Sequence, residues 1–134
     1  MEIRNNEMRI GDKMTLFLDQ DNILNSVPFG DISMETVLEA NTIMHQLTPD
    51  IKGRMLVLVD LNRAGKQSVE VRKTWDEMSE EHNASVALFG MHYVAKTLAT
   101  FFMHFTKNKN IRFFSKKDEA VAWLKEERKV HEVV

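Results

Sequence analysis

Three short apolar runs in the second half of the chain constrain its fold more than any other feature. They read MLVLVDL at residues 55–61, VALF at 86–89 and IRFF at 111–114. The first two have no apolar–polar alternation, which is typical of strands that are covered on both faces. Segments with the apolar spacing of helices lie before, between and after these runs, at residues 33–47, 68–82, 93–105 and 115 to about 128. Strands that alternate with helices predict parallel pairing through right-handed crossovers.

The first thirty residues predict an antiparallel hairpin instead. Residues 14–18, MTLFL, are strand-like, and DQDN at 19–22 is a strong turn signal. Residues 23–29 are the hairpin partner, in which Pro28 marks a sheet edge or a strand end because proline cannot donate to a ladder. The predicted fold class is therefore α/β: a mixed sheet with an N-terminal antiparallel hairpin, parallel central strands and about four helices, in one domain over residues 1–134.

Composition excludes several classes of protein. The chain contains no cysteine, which removes thiolate catalysis, disulfide bonds and thiolate zinc sites and suits a reducing compartment, so we expect a cytoplasmic protein. Its formal net charge of −2 gives no overall attraction to nucleic acid. Its longest apolar runs are too short to cross a bilayer. We therefore expect no nucleic-acid partner and no membrane span.

Three stretches of the sequence resemble a known family. These are the VLVDL strand, the FF-x-x-F segment near residues 101–105 and the ending FFSKKDEAVAWL. Over roughly residues 14–127 the chain resembles small, mostly uncharacterised bacterial proteins with the SpoIIAA-like, or STAS-like, fold, which are similar to the anti-sigma-factor antagonists. In the ending, the positions that this family fills are occupied by Phe114, Ala120, Trp123 and Leu124. The resemblance implies the fold and, in general terms, a regulatory or interaction role. It does not imply a specific function, because one fold supports many functions.

One loop departs from the pattern of the anti-sigma-factor antagonists, which carry a phosphorylated serine in a D-S-[SG]-type loop after the central strand. Here the loop reads LNRAGKQS at residues 61–68, without Asp-Ser-Gly. Ser68 opens the next helix, so it is predicted to be an ordinary N-cap; the alternative is a phosphosite, since a helix N-terminus favours anions. Asp60 ends the central strand, where α/β proteins place ligands. Asp60, Arg63, Lys66 and Ser68 are therefore the candidate ligand or regulatory loop.

The sequence contains no recognisable catalytic set. Around Gly65-Lys66 a phosphate-binding P-loop is excluded, because Asp60 replaces its first glycine and Gln67 its Ser or Thr. The five histidines show neither H-x-x-x-H nor H-E-x-x-H spacing. We therefore expect no enzyme activity, no cofactor and no metal site.

The third predicted helix, residues 93–105, has more apolar side chains than one packed face requires. Its residues Leu98, Phe101, Met103 and Phe105 are the candidate interface of a homodimer; the alternative is that the last helix of the same chain covers them. Two functions follow from the sequence. The first is a non-enzymatic regulatory or protein-interaction module of STAS-like type, with an unknown protein partner. The second is a carrier or sensor of an apolar, lipid-like small molecule. It is based on this helix and on the family resemblance, since the family's sheet is similar to that of CRAL-TRIO lipid-binding domains.

Overall fold

A computed structural model describes residues 7–48, 54–93, 95–97, 100 and 110–132, and it confirms the predicted alternation of strands and helices. The strands are β1 (Met8–Ile10), β2 (Met14–Leu18), β3 (Ile23–Pro28), β4 (Gly30–Ile32), β5 (Met55–Asp60), β6 (Ala64–Gln67), β7 (Ala84–Phe89) and β8 (Ile111–Phe114). The helices are α1 (Met34–Leu47), α2 (Val69–Glu81) and the C-terminal helix (Lys117–Glu132). Helical residues also occur at Tyr93, 95–97 and Thr100, inside the third predicted helix.

The main sheet is mixed, as the sequence predicts. Its strand order is β1-β2-β3-β5-β7-β8. The first three strands pair antiparallel, and β3, β5, β7 and β8 pair parallel. Each parallel step requires a crossover, and α1 and α2 supply two of them. The hairpin therefore forms one side of the sheet and the parallel strands form the other.

Both faces of β5 and β7 are covered, which explains their unbroken apolar runs. Leu56 and Leu58 of β5 pack in a cluster with Ala120 and Leu124 of the C-terminal helix. The alternating residue Val57 packs in a larger cluster that includes side chains of α1 and α2. Successive residues of a strand point to opposite faces, so a strand covered on both sides favours apolar residues at successive positions. The predicted burial of Leu56, Leu58 and Leu88 is confirmed.

The last helix is longer than the sequence pattern indicates, since it extends to Glu132 rather than ending near Arg128. No glycine or proline follows Arg128 to stop it. The side chain of Arg128 also fixes this part of the helix, because its Nη2 donates to the carbonyl oxygen of Asp21 at 2.5 Å. That contact ties the helix to the turn between β2 and β3.

A second, two-stranded sheet was not predicted. Strand β6 pairs parallel with β4, with Gly30 opposite Ala64 and Ile32 opposite Gln67. The sequence AGKQ of β6 is short and polar, so it reads as a turn that leads into a helix. Its strand conformation depends on pairing with a segment more than thirty residues earlier in the chain, and this pairing produces no local pattern.

Candidate functional site

The carboxyl ends of β5 and β7 bring two loop segments together. These strands are parallel neighbours, and Asp60 pairs with Phe89 at their ends. One segment, residues 60–68, begins at Asp60, the last residue of β5, and the other, residues 90–93, follows β7. Together with Val69, the first residue of α2, these two segments form what we call the strand-end surface. Asn62 joins the two segments, because its Oδ1 accepts a hydrogen bond from the Met91 backbone N at 3.1 Å. His92 adds a second link, with its Nε2 lying 2.8 Å from the carbonyl oxygen of Leu61.

Asp60 shapes the loop at this surface. Its Oδ1 accepts hydrogen bonds from both the backbone N and the side-chain Nδ2 of Asn62, each at 2.9 Å. An aspartate that bonds to the backbone two residues later forms an Asx turn, which fixes the direction of the chain. The carboxylate of Asp60 therefore has a structural partner within its own loop.

Arg63 and Lys66 are exposed, while the backbone beneath them is held in place. The carbonyl oxygen of Arg63 accepts from the Gly30 backbone N at 2.9 Å, and the Lys66 backbone N donates to Asp31 Oδ1 at 2.8 Å. The Arg63 guanidinium carbon also lies 5.7 Å from the centre of the Phe29 ring, within the range of a cation–π contact. The loop thus presents two cations to solvent from a fixed backbone.

Ser68 is the N-cap of α2, as predicted. Its Oγ accepts a hydrogen bond from the Val71 backbone N at 3.1 Å, and its backbone is extended, as in most N-cap residues. Ser68 is exposed. Its hydroxyl oxygen therefore lies at the surface beside the positive end of the helix dipole.

Exposed apolar side chains complete the strand-end surface, and sequence reasoning missed them. Val69 is 51% exposed, Met91 65% and Tyr93 83%. These are three of the six large hydrophobic residues that are exposed within the part of the chain that the structure describes. The sequence signal that could have indicated Met91 and Tyr93 is their position just after Gly90, at the end of a buried strand, where a loop must reach the surface.

The candidate dimer residues Leu98, Phe101, Met103 and Phe105 have side chains outside the described residues, so their role stays a prediction. Within the same helix, Ala95 is fully buried and belongs to the larger apolar cluster. A Cβ on Gly90 would lie 2.8 Å from the Cβ of Ala95, so this end of the helix packs directly on the chain that leaves β7.

The described residues also bear on metal sites and membrane spans. Over residues 7–48, 54–93 and the remaining described positions, no three His, Asp or Glu side chains are grouped so that they could hold a metal ion. Within the same residues, no helix has both the length and the apolar character that are needed to cross a membrane.

Comparison with known proteins then identifies the family. Residues 17–128 match the family described as a domain of unknown function, DUF7793. The chain belongs to the DUF7793 family. None of the curated proteins matches this DUF7793 chain.

Two solved structures have the fold of this DUF7793 protein. One is an uncharacterised protein of the DUF3478 family with a SpoIIAA-like fold, from Shewanella loihica PV-4; the TM-score is 0.61 at 18% identity, over 83% of this chain and 91% of that chain. The other is an anti-sigma factor antagonist from Mycobacterium paratuberculosis, with a TM-score of 0.56 at 15% identity, over 88% of this chain and 99% of that chain. The SpoIIAA-like fold that the sequence resemblance implies is therefore confirmed.

Proposed function

We propose that this DUF7793 protein is a non-enzymatic regulatory module that binds a protein partner through the strand-end surface. The observation that carries the proposal is the combination of exposed apolar side chains and exposed cations on a fixed backbone. Tyr93 and Met91 are among the most exposed large hydrophobic residues described, and Arg63 and Lys66 are exposed in the adjoining segment. Exposed apolar groups beside polar ones are typical of protein-binding surfaces, and tyrosine and arginine are enriched among residues that dominate binding.

The charges at this surface indicate what the partner presents. The two nearby carboxylates, Asp31 and Asp60, each accept hydrogen bonds from backbone N–H groups. The side chains of Arg63 and Lys66 form no salt bridge with another described residue. We infer that the partner contributes an apolar patch with acidic residues at its edge, because such charge complementarity gives specificity and speeds association.

Binding fits the surface better than catalysis does. The groups here that are chemically most capable of proton transfer or nucleophilic attack are His92, Asp60 and Ser68. His92 Nε2 lies 2.8 Å from the carbonyl oxygen of Leu61. Asp60 Oδ1 accepts two hydrogen bonds that form a turn, and Ser68 Oγ accepts one that caps α2. A catalytic set requires a nucleophile, a base and an orienting group within hydrogen-bond reach of one another, and no described contact joins Asp60 to Ser68.

The fold gives general support to a regulatory, protein-binding role. One protein of similar structure is by its name an anti-sigma factor antagonist, and so acts on another protein. At 15% identity the likeness concerns the fold, and the identity of a partner does not follow from it. The absence of cysteine supports a reducing compartment, such as the cytoplasm, as the place of binding.

Affinity capture with three forms of the chain tests the proposal. The baits are wild type, Tyr93→Ala, and Val130→Ala as a matched control, and the extract comes from the organism that makes the protein. Val130 is also exposed, at 62%, but it lies on the C-terminal helix two residues after Arg128, which contacts the turn before β3 at the opposite end of the sheet. A partner that wild type and Val130→Ala retain and Tyr93→Ala loses is expected. A partner that all three retain equally would place the binding surface elsewhere.

A further inference from the structure

A cavity of about 80 Å³ lies between the main sheet and helices α1 and α2. Its walls are mainly apolar. The sheet contributes Val57, Val86 and Leu88, α1 contributes Met44, and α2 contributes Trp75 and Met78. All six belong to the larger apolar cluster or pack against it, so the cavity lies within the core. Leu61 and Gln67, which follow β5, also line it.

One polar atom in the cavity wall has no partner among the described residues. Gln67 lines the cavity, and its Oε1 is buried without a hydrogen bond to any of them. Ser26, Ser79 and His82 also line the cavity. Of these, Ser79 Oγ donates to the Asp76 carbonyl oxygen at 2.7 Å, and His82 Nε2 lies 3.1 Å from Asn41 Oδ1. Because buried acceptors in folded proteins are almost always satisfied, the amide oxygen of Gln67 indicates a missing donor.

The volume of the cavity limits the size of the molecule that supplies this donor. A single buried water needs roughly 10–15 Å³ of such space, whereas an engineered apolar cavity of about 150 Å³ holds benzene. The cavity here, at about 80 Å³, lies between these two cases. It has room for an apolar group of a few heavy atoms. Trp75, His82 and Gln67 line it and are also partly exposed, so their side chains can admit a ligand without separation of the strands.

We propose that this cavity binds a small, mainly apolar molecule with one hydrogen-bond donor, and that Gln67 Oε1 accepts the hydrogen bond from that donor. The molecule belongs to the class of short-chain alcohols, which combine an O–H group with an apolar body of a few heavy atoms. This inference does not depend on the proposed protein partner, because the exposed side chains of Arg63, Met91 and Tyr93, which carry that proposal, do not line the cavity.

1-Propanol and 1-chloropropane test the inference, since they have the same three-carbon chain and differ in one O–H group, which chlorine replaces without a hydrogen-bond donor. Each is titrated to millimolar concentration while methyl signals of the protein are followed by NMR. Val57, Val86 and Leu88 line the cavity and should shift on binding. Leu56 and Leu58 lie in β5 beside Val57 but pack under the C-terminal helix, so they serve as an internal control and should not shift.

Two variants separate the hydrogen bond from the rest of the binding. Gln67→Leu removes the acceptor at similar side-chain volume, and Gln46→Leu makes the same change at an exposed position of α1 outside the cavity. In wild type and in Gln46→Leu, 1-propanol should bind roughly two- to tenfold more tightly than 1-chloropropane, as one neutral hydrogen bond allows. In Gln67→Leu, 1-chloropropane should bind at least as tightly as 1-propanol. An unchanged unfolding temperature shows that each variant is folded.

Three results would overturn the inference. The first is that neither probe shifts the cavity methyl signals at millimolar concentration. The second is that 1-chloropropane binds wild type as tightly as 1-propanol does, which would remove the role of the donor. The third is that Gln67→Leu keeps the preference for 1-propanol, which would place the acceptor on another residue.

Discussion

Gly65 and Asp31 lie so close that a Cβ on Gly65 would be 2.4 Å from Asp31 Oδ1. The same Cβ would also lie 2.5 Å from the Gly30 carbonyl carbon and 2.7 Å from the Asp31 backbone N, which cannot rotate away. Asp31 Oδ1 in turn accepts the hydrogen bond from the Lys66 backbone N. The pairing of β4 with β6, and with it the position of Arg63 and Lys66, therefore depends on glycine at residue 65.

Replacing Gly65 with alanine should destabilise the protein by about 1–3 kcal/mol, the usual range for forcing extra atoms into a packed site. Chemical denaturation measures this change in the free energy of unfolding. Lys66→Ala, in the same strand but exposed, is the control and should stay within about 0.5 kcal/mol of wild type. Equal stability of Gly65→Ala and wild type would show that β4 and β6 are not packed against each other as described.

Ser68→Ala should reduce stability by about 0.5–2 kcal/mol, because the hydroxyl that accepts from the Val71 backbone N is lost. Ser68→Asn should retain most of the stability, since asparagine is also a good N-cap. Ser68 is further predicted not to be a regulated phosphosite. A stoichiometric phosphate on Ser68 that changes with growth state, seen by mass spectrometry of protein from cells, would contradict this.

His82 should make the protein less stable in mild acid. Burial, chiefly, and the nearby His45 lower the pKa of His82 below its ordinary value of 6.5, and Glu81 opposes them in part. The rings of His45 and His82 are 4.4 Å apart, between α1 and α2. At pH values well above 6.5 the ring is neutral in both the folded and unfolded states. As the pH falls below 6.5, the unfolded state binds a proton first, so the free energy of unfolding decreases until the folded ring is protonated too.

Denaturation of wild type and His82→Gln at several pH values between 7.5 and 5 measures this effect. The variant should lose less stability over this range than wild type, because glutamine does not titrate. Other groups that titrate in both proteins cancel in the comparison. An identical pH dependence for the two proteins would show that His82 has an unshifted pKa.

The chain is predicted to form a homodimer through Leu98, Phe101, Met103 and Phe105 of the third predicted helix. Light scattering at micromolar concentration should give about twice the single-chain mass of 15.6 kDa. Met103→Glu should then separate the dimer and leave the circular dichroism unchanged. A wild-type mass near 15.6 kDa would refute the dimer, and loss of folding in Met103→Glu would place this side chain in the core.

How far the sequence predicts this structure depends on where each pairing is encoded. Strands β5 and β7 are evident because burial on both faces leaves an unbroken apolar run. The β4–β6 pair is not evident from the sequence, since it depends on the close approach of Gly65 to Asp31 rather than on any local pattern. The sequence groups four loop residues because they end or follow one strand: Asp60, Arg63, Lys66 and Ser68. Met91 and Tyr93 lie beside them because β5 and β7 are neighbours in the sheet, and the sequence does not show which strands are neighbours.

The affinity of a purified partner tests the central claim most directly. Isothermal titration of the captured protein into wild type, Tyr93→Ala and Val130→Ala gives three dissociation constants under one condition. Loss of a tyrosine near the centre of an interface weakens binding by roughly tenfold or more. Binding through the strand-end surface predicts that loss for Tyr93→Ala and no change for Val130→Ala, whereas equal affinity of wild type and Tyr93→Ala would contradict it.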